Sequence, residues 1–177
     1  MRGERCMEIY RGKRLRIEKI PHILPDGTRK ERIVVRPGPA VAILPIEGEF
    51  CYLIRQYRLP IDAWIYEVPA GTMDEGEKPE ETALRELIEE TGLSARKIKP
   101  RGQIFTTPGY TDEVIYLFEA RDLSPSSQFG KDEDEEIELV KLHRTDLTGM
   151  IEQGIIQDAK TICLACLCLG QGNLPSE

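Results

Sequence analysis

Positive charge is in short supply in this chain: Lys and Arg number 24 against 31 Asp and Glu, giving a formal net charge of −7 and a pI near 5.1. Gripping nucleic acid through its phosphates needs clustered Lys and Arg to displace counterions, so that class of partner is not expected. A small anionic substrate stays open if a metal screens it. Also missing is any run approaching the roughly 18–20 apolar residues that span a bilayer. The opening Met1-Arg2-Gly3-Glu4-Arg5-Cys6 lacks the apolar core of a secretory signal, so a cytoplasmic protein with no membrane partner is expected. Cysteine is sparse and odd in number, five in all, which rules out a complete intramolecular disulfide framework. Cys163, Cys166 and Cys168 lie together in the apolar run from Ile162 to Leu169, and buried packing is expected of them. Aromatics are few, and Trp64, Tyr10, Tyr57, Tyr66 and Tyr110 read mostly as packing. His22 and His143 fall in strand-like segments and read as structural.

A length of 177 residues suits one compact domain. Leu15 to Ile23 and Lys30 to Arg36 read as strands around the turn Pro25-Asp26-Gly27, an antiparallel hairpin. Arg36-Pro37-Gly38-Pro39 breaks the pattern. Val41 to Leu44 and Phe50 to Tyr57 form a second apolar pair around Glu47-Gly48-Glu49, and Ile65 to Val68 is a short strand ending at Pro69-Ala70-Gly71. The period then becomes helical from Pro79 to Thr91, with Leu84, Leu87 and Ile88 as the apolar stripe, Glu80 and Glu81 in the first turn, and Gly92 as the stop. Further strands are expected at Lys97 to Phe105, Val114 to Ala120 and Ile137 to Leu142, with a polar loop over Ser124 to Glu136. Helices are expected near Asp146 to Gln153 and from about Asp158 to Leu169. This order implies a mixed sheet flanked by helices. It divides into an N-terminal β region, 1–40, and a main domain, 41–177.

The chemistry sits on the helix. Glu86 and Glu90 are four apart and share a face, with Glu89 on its flank. Like charges at that spacing repel, so the cluster makes sense if hard cations lie between the carboxylates, as Mg²⁺ does when shared between a few acids and substrate phosphates. From composition alone a solvated acidic face would be the ordinary reading. The spacing argues against it: with U an aliphatic residue, the segment fits G-x5-E-x7-R-E-U-x-E-E-x-G-U at Gly71, Glu77, Arg85, Glu86, Leu87, Glu89, Glu90, Gly92 and Leu93.

That window resembles the Nudix box of the Nudix hydrolase superfamily. The resemblance implies an α/β/α sandwich with a mixed sheet and hydrolysis of a nucleoside diphosphate linked to another group. It also implies divalent metal, Mg²⁺ or Mn²⁺, with two or more ions per site. Carried onto matching positions, Glu86, Glu90 and the Ala70 carbonyl would be metal ligands. Glu89 would be a further ligand or water-positioning group, Arg85 would orient the glutamates, Glu77 would pair within the loop, and Gly71 would allow the tight turn beneath Ala70.

The rest of the chain, over roughly residues 30 to 170, is similar to the ADP-ribose pyrophosphatase branch. Pro108 within Thr107-Pro108-Gly109-Tyr110-Thr111-Asp112-Glu113 resembles that branch's proline-containing loop, and Asp158-Ala159-Lys160-Thr161 is similar to the start of its last helix. A departure lies at Arg36-Pro37-Gly38-Pro39, where relatives often carry His before Pro-Gly. The acidic run Lys131 to Glu136 matches the branch's Glu-rich loop. By register against Ile137, Glu133 is the candidate water-activating base and Glu135 a metal ligand.

The implied reaction is in-line attack by metal-activated water on the diphosphate of ADP-ribose, giving AMP and ribose 5-phosphate. Arg55 and Arg58 would bind the diphosphate, while Glu67, Pro108 and Glu113 would meet the rest of the substrate. One of the aromatics could stack on adenine. The rivals are a hydrolase of GDP-mannose or another sugar nucleotide, and a non-catalytic ADP-ribose-sensing module, which would be expected to lose box glutamates. Relatives use the N-terminal hairpin to build a homodimer, and the same is expected here.

Overall fold

The computed structural model describes residues 6–126 and 136–170. The chain divides into two compact units, one reaching to Pro39 and taking in Phe105–Val114, the other holding Ala40–Ile104 and the chain from Ile115 onward.

The first unit is a three-stranded antiparallel sheet of β1 (Met7–Arg11), β2 (Arg16–Ile23) and β3 (Arg29–Arg36), in that order. The hairpin between β2 and β3 forms where the turn residues require it. Asp26 Oδ1 accepts the Thr28 N–H at 2.8 Å, and Gly27 takes φ +82°, a conformation open to glycine without a Cβ clash. Strand β1 is additional to the sequence reading. A register shift between Glu8 and Tyr10 interrupts the two-residue alternation by which a strand is recognised. The segment Phe105–Val114 lies beside β3, with the Val35 N–H donating to the Tyr110 carbonyl at 2.8 Å. No described residue of this unit is buried.

The second unit carries the core. Its seven-stranded sheet contains β4 (Ala40–Glu47), β5 (Phe50–Arg58), β6 (Ala63–Glu67), β7 (Ala70–Thr72), β8 (Leu93–Phe105), β9 (Val114–Pro125) and β10 (Ile137–His143). The main path runs β10-β5-β4-β9-β8, with β6 paired to β5 and β7 to β4. Strand β4 lies parallel to β9 and antiparallel to β5 and β7, so the sheet is mixed. Three helices, α1 (Pro79–Thr91), α2 (Arg144–Glu152) and α3 (Ala159–Leu169), cover it.

The alternation along β4 divides the core in two. Val41 and Ile43 pack with Ala83 and Leu87 of α1 and with Phe118 and Ala120 of β9. Ala42, Leu44 and Ile46 pack on the opposite side with Leu147 of α2 and Leu164, Ala165 and Cys168 of α3. A strand buried on both faces reads as a continuous apolar run, as Val41 to Ile46 does. The result is an α/β/α sandwich with a mixed sheet.

Helix α1 begins with Pro79 in its first turn, the Lys78 N–H donating to Glu81 Oε2 at 3.1 Å, and ends at Gly92 in the left-handed conformation, φ +69°. Its buried stripe is Thr82, Ala83, Leu87 and Thr91; Leu84 and Ile88 are half-buried flanks, so the helix is turned from the stripe read in the sequence. On α3 the buried residues are Thr161, Leu164, Ala165 and Cys168, whereas Cys166 is exposed and Cys163 half-buried. The uniform packing expected of the three cysteines therefore holds fully for Cys168 alone. All five thiols are free, and burial pushes Cys51 and Cys168 up to about 11, which leaves them unreactive. His143 caps α2, its Nδ1 accepting the Thr145 N–H, and is structural as expected. No described helix is long and apolar enough to cross a membrane.

Candidate active site

The loop and helix of the carboxylate motif pack so that the acids meet the backbone of β7. The Ala70 N–H donates to Glu90 Oε2 at 2.9 Å. Gly71 lies directly against Glu86: a Cβ on that glycine would fall 2.0 Å from Oε1 and 2.1 Å from Cδ of the carboxylate. Its φ is not positive, so close approach by Glu86 rather than a left-handed turn is what requires glycine here. Ala83 and Leu87 hold the opposite side of the helix in the core, which fixes the acid face toward the loop.

Arg85 organises this face. Its Nε and Nη2 donate to Glu77 at 3.0 Å each, its Nη1 to Glu86 at 2.7 Å and Glu89 at 2.9 Å, and its Nη2 also to the Thr72 carbonyl at 3.2 Å. Glu77 accepts the Asp74 N–H as well, at 3.1 Å, which closes the glycine-bounded loop. Hydrogen bonds from Arg85, outweighing burial, hold the Glu77 carboxyl down to about 2, and the same acids push the guanidinium higher still. A planar fork that serves three carboxylates and a carbonyl at once is something Arg can do and Lys cannot.

The donor chemistry fits a hard divalent cation. Glu86, Glu89, Glu90 and the Ala70 carbonyl offer only oxygen, and the absent Cβ of Gly71 leaves the space in which the Glu86 carboxylate sits. Among the described residues no three acids are drawn together into a closed cage, and Arg85 Nη1 bridges Glu86 and Glu89. Open sites of this kind suit Mg²⁺, which keeps several waters and shares few carboxylates with substrate phosphate.

Beside the box, Glu67 at the end of β6 is 1% exposed and takes charge from two sides. Arg58 binds it through Nε at 2.6 Å and Nη2 at 2.8 Å, and Lys160 Nζ donates to Oε2 from the other side. Burial pushes this carboxyl up, but the two cations outweigh it and hold it below the usual range. Both oxygens of Glu67 are thus committed within the protein. Glu67 first, and the more distant charges of Glu90 and Asp158 after it, raise the Arg58 guanidinium.

Arg55, three residues earlier in the same strand, has different company: Glu138 of β10 at 3.1 Å and the Trp64 ring, 5.1 Å from guanidinium to centroid. Residues three apart in a strand fall on opposite faces, so the two arginines that stand together in sequence separate in the fold. Gln56 was not singled out from the sequence. Its Oε1 is buried with no hydrogen-bond partner among the described residues, and by strand alternation it shares the face of Arg58.

Pro108 and Glu113 belong to the first unit, where Glu113 accepts the Thr106 hydroxyl at 2.6 Å. Glu133 and Glu135 lie outside the described residues.

A sandwich that lays a glycine-bounded loop and an R-E-x-x-E-E helix against one sheet edge defines a class of protein, and comparison gives it a family. The model of the NUDIX domain matches residues 36–163. The ADP-ribose pyrophosphatase of Bacillus subtilis (strain 168) is 37% identical over 157 residues, covering 87% of this chain and 84% of its own. A GDP-mannose pyrophosphatase of Cronobacter sakazakii is 35% identical over 160 residues, covering 81% and 83%. Among solved structures, one described as an ADP compounds hydrolase superposes with a TM-score of 0.84 at 26% identity, covering 96% of this chain and 95% of that one. The chain belongs to the Nudix family and is a Nudix hydrolase, a class of pyrophosphatase that generally uses divalent metal ions.

Proposed function

We propose that this chain hydrolyses the diphosphate of ADP-ribose to AMP and ribose 5-phosphate in the presence of Mg²⁺ or Mn²⁺, two or more ions per site. The observation that carries the reading is the meeting of the Glu86 and Glu90 carboxylates with the Ala70-Gly71 backbone, on a chain similar over 157 residues to an ADP-ribose pyrophosphatase. Glu86, Glu90 and the Ala70 carbonyl would hold the cations, with Glu135 as a further ligand. When bound, the metal neutralises phosphate oxygens and lowers the pKa of a coordinated water.

The protein's own groups supply orientation. Arg85 keeps the Glu86 and Glu89 carboxylates from turning to solvent, and Glu89, more exposed than Glu86 at 45% against 12%, would direct a water. Arg58 uses Nε and Nη2 on Glu67, which leaves Nη1 for a phosphate oxygen. Arg55 would meet the substrate only by leaving Trp64 and Glu138. Pro108 and Glu113 would contact the sugar or base, and Glu133 would take the proton of the attacking water.

The first unit gives a reason for a homodimer. Met7, Ile9, Tyr10, Ile23 and Ile33 are each about half exposed or more on a sheet with no buried residue. A second copy of the chain would cover that apolar surface.

The test is release of AMP from ADP-ribose with Mg²⁺, alongside GDP-mannose and other sugar nucleotides, with Glu90→Gln as control. Glutamine still accepts the Ala70 N–H but brings no charge to a metal, so the variant should fold and lose activity. Cleavage of GDP-mannose in preference to ADP-ribose would favour the second reading, which the GDP-mannose pyrophosphatase relative motivates. No turnover by the wild-type protein on any of these would point instead to a sensing module.

A further inference from the structure

The box and its arginine do not account for the first turn of α3, which is tied to the strand end beside the box at two points. Asp158 caps the helix, its Oδ2 accepting the Thr161 N–H at 3.0 Å and the Thr161 hydroxyl at 2.6 Å. Thr161 Oγ1 in turn accepts the Val68 N–H at 2.8 Å. Lys160, its side chain 12% exposed, donates through Nζ to Asp158 Oδ1 at 2.9 Å and to Glu67 Oε2. Glu67 grips Arg58 with both oxygens. Two residues beyond Val68, the Ala70 N–H holds Glu90.

From this arrangement we infer that Lys160 is a positioning residue for hydrolysis: it fixes the buried Glu67 carboxylate and, through it, the guanidinium of Arg58 that receives the substrate diphosphate. The inference rests on the proposed role of Arg58. The physical argument concerns charge. Asp158, Lys160, Glu67 and Arg58 alternate in sign and are neutral as a set. Arg58 alone supplies one donor to each oxygen of Glu67; Lys160 adds a second donor on Oε2 from the other side, so that the carboxylate is held from both sides. Without it, Glu67 keeps one partner, Arg58, and the pair can rotate together toward Asp158 or solvent. A guanidinium presented in one orientation costs less to order on binding a diphosphate than one that must be fixed by the substrate itself. Lys160 Nζ is engaged by Glu67 and Asp158, so it acts through Glu67 on Arg58 and is assigned no substrate contact of its own.

The experiment is a kinetic double-mutant cycle on the full chain with ADP-ribose and GDP-mannose as substrates and Mg²⁺ present. In Lys160→Met, KM should rise by on the order of tenfold, with kcat changed by less than about threefold, the pattern of lost binding rather than lost chemistry. Purely structural damage would lower the active fraction, and so the apparent kcat, at unchanged KM. Lys160→Arg, which keeps the charge, should recover most of the wild-type KM. Arg58→Ala should raise KM by itself, and adding Lys160→Met to it should raise KM no further. Thermal unfolding of each variant identifies loss of fold; should Lys160→Met fail to fold, Lys160→Gln, which keeps a polar end against the two acids, takes its place in the cycle.

An unchanged KM in the folded Lys160 variant, or additive effects of the two substitutions, overturns the inference while leaving the hydrolase reading intact. If Arg58→Ala leaves KM unchanged in an active enzyme, the role of Arg58 fails and the inference with it. If the wild-type protein turns over neither substrate, the proposed function itself falls.

Discussion

Replacing Gly71 with alanine should separate the fold of this enzyme from its chemistry. A Cβ at this position would lie 2.0 Å from Glu86 Oε1, 2.1 Å from Cδ and 2.5 Å from Oε2, inside the van der Waals surface of the carboxylate. The atoms in the way are the end of a flexible side chain, and the glycine φ is one that alanine can adopt. The backbone therefore has no reason to move. The carboxylate must withdraw by more than about 1 Å, and a reacting constellation misplaced by that much loses on the order of 100-fold in rate. The displaced Glu86 also gives up its 2.7 Å bond to Arg85 Nη1, but that pair is partly exposed and contributes little to stability. Expected, then, are a melting temperature within a few degrees of wild type, as about 1 kcal/mol would give, and a kcat/KM for ADP-ribose lower by about two orders of magnitude. Circular dichroism with temperature and an AMP-release assay measure the two. Full activity in Gly71→Ala would mean that Glu86 need not occupy the place it has here, and its assignment as a metal ligand would be lost.

Three further outcomes follow from the same geometry. Arg85→Lys cannot serve Glu77, Glu86, Glu89 and the Thr72 carbonyl together, so about 1–3 kcal/mol of stability and most of the activity should go, visible as a lower urea midpoint; an unchanged midpoint would show that the fork is dispensable. Glu77, whose carboxyl falls from an ordinary 4.5 to about 2 in the folded protein, contributes stability that is fully present above pH 4.5 and is lost as pH falls through about 2; in Glu77→Gln, urea unfolding between pH 5 and 2.5 should lose less stability than in wild type, and parallel curves would refute the pairing as its source. Sedimentation should find a dimer, and Ile9→Lys with Ile33→Lys on the exposed sheet of the first unit should shift it toward monomer; a wild-type monomer with full activity would remove the proposed role of that sheet.

What could be read from the sequence is what repeats locally. The box was legible because its fixed positions lie in one loop and one helix, where spacing dictates that Glu86 and Glu90 share a face, and the pairing of Arg85 with the glutamates was implied by the resemblance to the Nudix box. The hairpin was legible through Asp26-Gly27, and the doubly buried β4 through its unbroken apolar run. Strand β1 was hidden by its bulge. Strand β7, Ala70-Gly71-Thr72, has no strand-like composition and exists because β4 offers an edge to pair with. The stripe on α1 was misplaced because Thr82, Ala83 and Thr91 face the core as firmly as leucines do; burial there is decided by which side meets the sheet, not by hydropathy. Arg55 and Arg58, three residues apart, were read alike, and strand alternation sends one to Trp64 and the other to Glu67. Lys160 stood out only as part of Asp158-Ala159-Lys160-Thr161; its pairing with Glu67 carried no signal, since the two are 93 residues apart and only the packing of α3 against β4 brings the strand-end and helix-start segments together. Local spacing thus identified the groups proposed to hold the metal, while the proposed support for the phosphate-binding arginine depends on contacts that only the tertiary fold creates. A substitution scan confined to the motif would therefore miss Lys160, whose loss is expected to weaken substrate binding with every motif residue intact.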